Sequence, residues 1–339
     1  MEYYIGLDVS LQTTFIAIVD KSGKTVEEGL VRTEVSSISS YLSKSGYQTN
    51  SQLAIESGQL SISLCKGLRA LGFSVVCVDA RAMSRVLSNR INKNDKNDAI
   101  GIAEMLRAGV YKEVQIKNDE SCENKVLLGS RRQMVSIRQQ VMGTIRGLLK
   151  IYGIKLATSR KEDFTSSALK AISKLPVMSR ESIQLLVDQL ISIEERLSSL
   201  NKIAEQYVKI DDDCKLLMSI PGVGKITAMT YKASLDDPSR FTDSDDVGAY
   251  MGLTPRQYSS GEINRHGSIS KMGPKDCRTM LYEAAQSLLS VSKKKSRLKS
   301  WGLKLMKKKG RKKAIVGVAR KLSVIMHRML IERKEFIYV

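Results

Sequence analysis

An α/β amino-terminal domain followed by helical segments is the fold class this sequence predicts, and three observations predict it. Short β-rich runs alternate with amphipathic stretches at the front of the chain. Apolar residues then recur three and four apart without a break from Ile183 to Tyr207. Beyond Asp211 the composition turns to glycine, proline and, at the end, lysine. The predicted division is an α/β domain at 1–115, a coiled-coil helical region at 116–210, and a mainly helical domain at 211–339. At roughly 100–200 residues per domain, 339 residues suffice for two or three such bodies.

The first elements are strands. Tyr3 to Val9, Thr13 to Val19 and Thr25 to Val31 are β-rich, and the turn Asp20-Lys21-Ser22-Gly23 joins the second to the third. A three-stranded meander follows from this spacing. Leu53-Ala54-Ile55 is a fourth apolar run, Leu60 to Leu71 is amphipathic and ends at Gly72, and Phe73 to Val78 supplies a fifth strand. Asp95 to Leu106 holds strong helix formers with apolar residues at Ile100, Met105 and Leu106, so it reads as a helix. In the middle, Ile183, Leu186, Leu190, Ile193, Leu197, Leu200, Ala204 and Tyr207 form a heptad seam. A weaker seam runs through Met134, Ile137, Val141, Ile145, Leu148 and Tyr152. Spacing admits either a helical hairpin within one chain or a coiled coil between two.

Composition excludes several classes. The five cysteines are odd in number and form no Cys-x-x-Cys pair, which argues against a disulfide framework or a zinc ribbon. Two histidines, His266 and His327, leave little for a histidine-based site. No apolar run approaches the roughly 20 residues of a membrane span, and the start is no signal peptide, so the expected location is the cytoplasm, with no membrane partner. Net charge is +20, from 55 basic and 35 acidic residues, which points to a polyanion. The charge is uneven. Residues 1–110 are nearly neutral, whereas Val291 to Val339 hold 17 lysines and arginines against Glu332 and Glu335. Chemistry at the front and phosphate binding behind is the simplest division of labour.

Four acids stand where a metal site needs them. Asp8 and Glu56 each follow an apolar strand run, and Asp95 and Asp98 lie three apart on one helix face. Singly, each has an ordinary reading as a cap or a partner of the helix dipole. If the first and fourth strands are neighbours and the helix lies over them, the four together have the arrangement of ribonuclease H-like nucleases and resolvases. Such a set takes Mg²⁺ or Mn²⁺, and two ions about 3.5–4 Å apart clamp the attacking and leaving oxygens of phosphoryl transfer.

Farther on, Ile220-Pro221-Gly222-Val223-Gly224 before the helical run from Lys225 has the pattern of a helix-hairpin-helix, in which Gly222, Gly224 and Lys225 meet a phosphate at a helix start. It is no P-loop, because Ser219 and Ile226 occupy the positions that need glycine and Ser/Thr. Ser259-Ser260-Gly261 reads as a polar loop flanked by Arg256, Arg265 and Lys271, three cations suited to phosphate. Taken alone the serines are ordinary turn residues. The basic end, with Lys307, Lys308, Arg311 and Lys312 at its centre, is interleaved with the apolar Ala314 to Leu322 and Val324 to Leu330, so it reads as folded basic helices on nucleic acid.

Gly6-Leu7-Asp8-Val9-Ser10, Ala54-Ile55-Glu56-Ser57-Gly58 and Asn94-Asp95-Lys96-Asn97-Asp98-Ala99 resemble the Asp-Glu-Asp-Asp motifs of the RuvC-like domain in the IS-one-ten family of insertion-sequence transposases, which includes the Piv-type invertases. Downstream, Ile220 to Gly224, Tyr250 to Gly261 and Ile269 to Gly273 are similar to that family's carboxy-terminal transposase domain. Pro274-Lys275-Asp276 departs from the family's usual Asn and aromatic at that point. The resemblance covers almost the whole chain. It implies an RNA-guided DNA transposase of the prokaryotic nucleoid that holds metal at Asp8, Glu56, Asp95 and Asp98. It implies a serine nucleophile, Ser260 before Ser259, that forms a phosphoserine. It also implies target and donor double-stranded DNA, a structured guide RNA and a homo-oligomer, dimer or tetramer, as partners.

Overall fold

A computed structural model describes residues 2–47, 51–87, 94–156, 164–260 and 263–338. The chain forms two compact units, Met1–Lys117 and Asn118–Val339.

In the first unit, strands β1 (Tyr3–Val9), β2 (Thr13–Val19) and β3 (Thr25–Arg32) form the expected meander. Helix α1 (Val35–Lys44) follows, then β4 (Ser51–Glu56), α2 (Ser61–Ala70), β5 (Ser74–Val78), α3 (Ala80–Leu87) and α4 (Asp95–Ala108). The sheet order is β3-β2-β1-β4-β5. β1 is central, antiparallel to β2 and parallel to β4. One sheet face carries Ile5, Leu7, Ile16, Ile18, Leu53 and Ile55, which bury Ile38 and Leu42 of α1 and Leu64 and Leu68 of α2. On the other face the three central strands share one row of small residues, since Gly6 is in register with Ala17 on one side and Ala54 on the other. That row is a trough for α4. A side chain at Gly6 would overlap the Ala99 carbonyl oxygen and stand 2.6 Å from the Ala103 nitrogen. Helix α1 has no sequence signal because five of its ten residues are serine, a weak helix former. It forms because Ile38 and Leu42 are fully buried against the sheet.

In the second unit, α5 (Asp119–Ile151) and α7 (Val177–Ile210) run antiparallel, with α6 (Phe164–Ile172) against them. Polar bonds fix the register. The Tyr207 hydroxyl donates to Glu120 Oε1 at 2.6 Å, Arg131 Nε donates to Asn201 Oδ1 at 2.8 Å, and Tyr152 and Ser179 share a 2.5 Å bond. The heptad seam is therefore used within the chain. Val141, Ile145 and Leu149 meet Ile183, Val187, Leu190, Ile193 and Leu197, and Val187 takes the place expected of Leu186 at the centre of that contact.

The remainder is mainly helical: α8 (Asp212–Met218), α9 (Lys225–Leu235), a 3-10 turn (Pro238–Arg240), α10 (Ser244–Tyr250), α11 (Lys275–Ser290), α12 (Arg297–Lys309) and α13 (Arg311–Glu332). Its core includes Tyr231, whose buried hydroxyl donates to the Ser323 carbonyl at 2.6 Å. Between α10 and α11 stands a two-stranded hairpin, β6 (Pro255–Ser260) and β7 (Ile263–Ile269). The serine segment is thus strand, not loop. Period-two alternation does not mark it, since Pro255, Arg256, Gln257 and Tyr258 on β6 are all exposed.

No helix among the described residues is long and apolar enough to cross a membrane.

Candidate active site and nucleic-acid interface

The sheet brings two of the predicted acids side by side. Leu7 and Ile55 are register partners in the parallel pair of β1 and β4, and Asp8 and Glu56 are the next residue on each. Alternation along the strands puts Asp8 two residues beyond Gly6, and Glu56 two beyond Ala54, on the sheet side that α4 covers. Helix α4 contributes the other pair from its first turn. Its start is fixed by Asn94, whose side chain accepts from the Asn97 amide at 2.8 Å, and by Ala99 lying on Gly6 immediately after Asp98. Asp8, Glu56 and Asp98 are half-buried and Asp95 is exposed.

Both strand acids have polar or electrostatic partners. Among the described residues, no group of three or more His, Cys, Asp or Glu side chains closes to metal-holding distance. The donor set is all carboxylate oxygen, which suits Mg²⁺ or Mn²⁺ better than a soft metal. Sequence reasoning passed over Asp79, which directly follows β5 at the same sheet edge. Its Oδ1 accepts from the amides of Arg81 and Ala82, at 3.1 and 2.9 Å, and so caps α3.

In the second unit the Pro-Gly-Val-Gly turn joins α8 to α9 as the sequence predicts. The two glycines differ. Gly222, at φ +91°, lies on α11, where a side chain would meet the Ala284 carbonyl at 2.6 Å, whereas Gly224 faces open space at the start of α9. Lys225 is half-buried and pairs with Glu205 at 3.3 Å.

Ser259 and Ser260 close β6 by backbone pairing with Asn264 and Ile263, while their side chains, together with Gly261 and Glu262, lie outside the described residues. Arg256 and Arg265 are exposed on the two strands, and Tyr258, paired across the ladder with Arg265, is 62% exposed. The hairpin base is clasped by backbone. Lys271 donates to the Gly252 carbonyl at 3.1 Å and Ser270 to that of Thr254 at 2.8 Å. Gly252 and Gly273, both at positive φ, let the two chain segments interlock, since a side chain on Gly252 would stand 2.8 Å from the Met272 nitrogen and one on Gly273 would overlap the Tyr250 carbonyl oxygen. Lys271 itself sits at φ 55°, exposed.

The basic helices meet at Gly310. Lys307 and Lys308 are in the last turn of α12, where the helix dipole favours them. Arg311 and Lys312 are in the first turn of α13, where it opposes them, with no acid and no side-chain cap to compensate. All four are exposed.

A different cluster is structural. Lys232 of α9 bonds Glu120 Oε1 at 2.9 Å and pairs closely with Asp211, tying together the starts of α5 and α8. Burial works to lower the Lys232 ammonium, but hydrogen bonds with Asp211 and Glu120 hold it well above the ordinary range. The Tyr207 hydroxyl first, and Lys232 next, hold the Glu120 carboxyl below its ordinary value.

Known proteins share this order of parts. A family profile for DEDD transposases of the IS110 type matches residues 5–154, and one described as the transposase IS116/IS110/IS902 family matches residues 214–300. The transposase for insertion sequence element IS1111A of Coxiella burnetii is 34% identical over 250 residues, covering 72% of this chain and 68% of that one. A probable family 20 transposase of Pseudomonas aeruginosa is 28% identical over 269 residues, covering 78% and 79%. The pilin gene-inverting protein of Moraxella bovis is 30% identical over 131 residues, covering 38% and 40%. With both profiles met in order and a relative of that identity aligned over two thirds or more of each chain, the chain belongs to the IS110 family of transposases, DNA-recombining enzymes of insertion sequences.

Proposed function

We propose that this transposase cuts and exchanges DNA strands through a phosphoserine on Ser260, at a phosphate that Asp8, Glu56, Asp95 and Asp98 serve by holding divalent metal. The observation that carries the reading is the trough at Gly6, which sets the first turn of α4 over the ends of β1 and β4. A first unit of RuvC-like type is consistent with that frame. Bound there, Mg²⁺ or Mn²⁺ supplies charge neutralisation at the scissile phosphate and the leaving oxygen.

The Ser260 oxygen forms a bond to phosphorus, the bond to the 3′ oxygen breaks, and the serine proton ends on that departing oxygen. A second strand's 3′ hydroxyl then attacks the phosphoserine and returns the proton to Ser260. The number of phosphoester bonds is unchanged, so no ATP is needed. Arg256, Arg265 and Lys271 bind the phosphates flanking the serine, and Gly224, Lys225 and the corner of Lys307, Lys308, Arg311 and Lys312 hold backbone farther away. The absence of a base-reading motif agrees with a structured guide RNA that pairs with target and donor DNA. In this reading the chain works as three parts, 1–115, 116–210 and 211–339, in a homo-oligomer whose copies exchange acids and serine.

The test is a covalent adduct. Full-length protein with Mg²⁺ and a cleavable DNA is to retain labelled strand through denaturation, and Ser260→Ala is to lose it while still binding DNA. Cleavage that survives Ser260→Ala would instead identify a metal-dependent junction resolvase in which water attacks. DNA binding without cleavage under any metal would identify a binding protein. Sequencing of RNA that copurifies tests the guide.

A further inference from the structure

One row of side chains crosses the end of the first sheet on the face that α4 covers. Glu56 is in register with Val78 of β5, Asp8 with Phe15 of β2, and Phe15 with Leu30 of β3, so the order is Val78, Glu56, Asp8, Phe15, Leu30. The two flanks of the acid pair differ. Val78 is buried in a cluster with Met83 and Ile102, whereas Phe15 is half-buried and Leu30 is 62% exposed. Two residues farther along their strands, Thr13 and Arg32 are register partners, and both are exposed.

Phe15 is unlike the other phenylalanines of the chain. Phe73 is buried in the sheet's main core, and Phe164, Phe241 and Phe336 each lie against a core cluster. Among the described residues Phe15 belongs to no such cluster. Core packing therefore leaves unexplained an aromatic ring one strand from Asp8 and a leucine at the surface two strands away.

Adjacent strands are about 4.8 Å apart, a step that one nucleotide spans between its phosphate and its base. A phosphate served at Asp8 and Glu56 brings its own base over Phe15. Strand exchange unpairs bases beside the cut, and an unpaired base gains from a new face to stack on.

We propose that Phe15, extended by Leu30, is the shelf on which the unpaired base next to the scissile phosphate stacks, with Arg32 at its rim for the neighbouring phosphate. This rests on the reading that Asp8 and Glu56 serve the scissile phosphate. Every base has a π face, and neither shelf side chain can hydrogen-bond, so the shelf grips without reading sequence.

The test puts an indole on the shelf. Full-length protein carrying Phe15→Trp with Trp301→Phe is titrated in Mg²⁺ with cleavable DNA, and then with the same DNA made abasic at the nucleotides flanking the scissile phosphate. The first DNA is to quench the indole emission and the second is not. Phe15→Leu, which keeps apolar bulk, is to slow adduct formation about tenfold, the loss of one stack, and Phe15→Tyr is to recover most of that loss. On the abasic DNA, Phe15→Leu and unmodified protein are to differ little, an equality that a merely structural role would not produce. Thermal melts check the fold of each variant. An indole that DNA leaves unquenched, equal quenching by the abasic DNA, or a Phe15→Leu deficit that persists in full on abasic DNA would each overturn the proposal. So would a Phe15→Leu protein whose sedimentation changes while its DNA reactions do not, since a second copy would then occupy the shelf. Quenching is read without the adduct. A quenched indole in a protein that forms no phosphoserine would remove the strand chemistry and leave the shelf, and a Ser260-dependent adduct without quenching would do the reverse.

Discussion

Gly6 is the residue on which the acid frame depends most. Its hydrogen is all that separates β1 from the α4 backbone at Ala99 and Ala103. Gly6→Val would push the helix off the sheet and carry Asp95 and Asp98 with it. Overpacking of this kind destabilises by about 1–3 kcal/mol, and metal-dependent cleavage is expected to fall by a larger factor than DNA binding, measured side by side. Lys232 is the counterpart in the second unit. Glu120 is held below its ordinary value chiefly by Tyr207 and then by Lys232, and Asp211 is held below its own by Lys232 against the opposing pull of burial. A carboxyl depressed on folding adds stability above its unfolded pKa and loses it as pH falls through the folded one. The second unit should therefore weaken as pH drops below about 4, the ordinary carboxylate range. Lys232→Met should flatten that acid limb in urea melts taken across pH.

Elements differ in how far their residues announce them, and the reasons are physical. β1, β2 and β4 are buried on both faces or nearly so, and their apolar runs mark them plainly in the sequence. Helix α1 is serine-rich and takes its shape from the core it covers, so local propensity misses it. The heptad seam of α7 was legible as a helix, but not its partner, because spacing is the same whether α5 or a second copy fills the groove. Adjacency of Asp8 and Glu56 was conditional on β1 and β4 being neighbours, and the pairing that meets the condition, like the row of Ala17, Gly6 and Ala54 that seats α4, needed the sheet order and register. The β6–β7 hairpin left no pattern because successive residues from Pro255 to Tyr258 are all exposed. What holds it is the glycine clasp at its base, which predicts a separable effect. Gly252→Ala and Gly273→Ala, at φ +68° and +119° and against neighbouring backbone, should free the hairpin at a cost of about 1–3 kcal/mol. Helix content should stay near that of the parent while covalent adduct formation drops.

Across the whole molecule, charge and packing divide along the same line. Residues 1–117 hold fourteen basic and twelve acidic side chains, and the rest of the chain forty-one and twenty-three. Among the described residues, the buried clusters of Met1–Lys117 share no residue with those of Asn118–Val339. Phosphate binding and the acid frame should therefore respond to different substitutions. Replacing Lys307, Lys308, Arg311 and Lys312 by glutamine removes exposed cations from one corner and no buried group. If all four contact phosphate, the slope of log affinity against log salt should shallow by about four. Affinity should fall alike for all DNA sequences, and the thermal transition that Gly6→Val lowers should not move. Gly6→Val should show the reverse, a lowered transition with the salt slope of the parent. A tail variant that left the slope unchanged would place the polyanion elsewhere on the second unit, with the Arg256 and Arg265 ribbon as the next cations to neutralise.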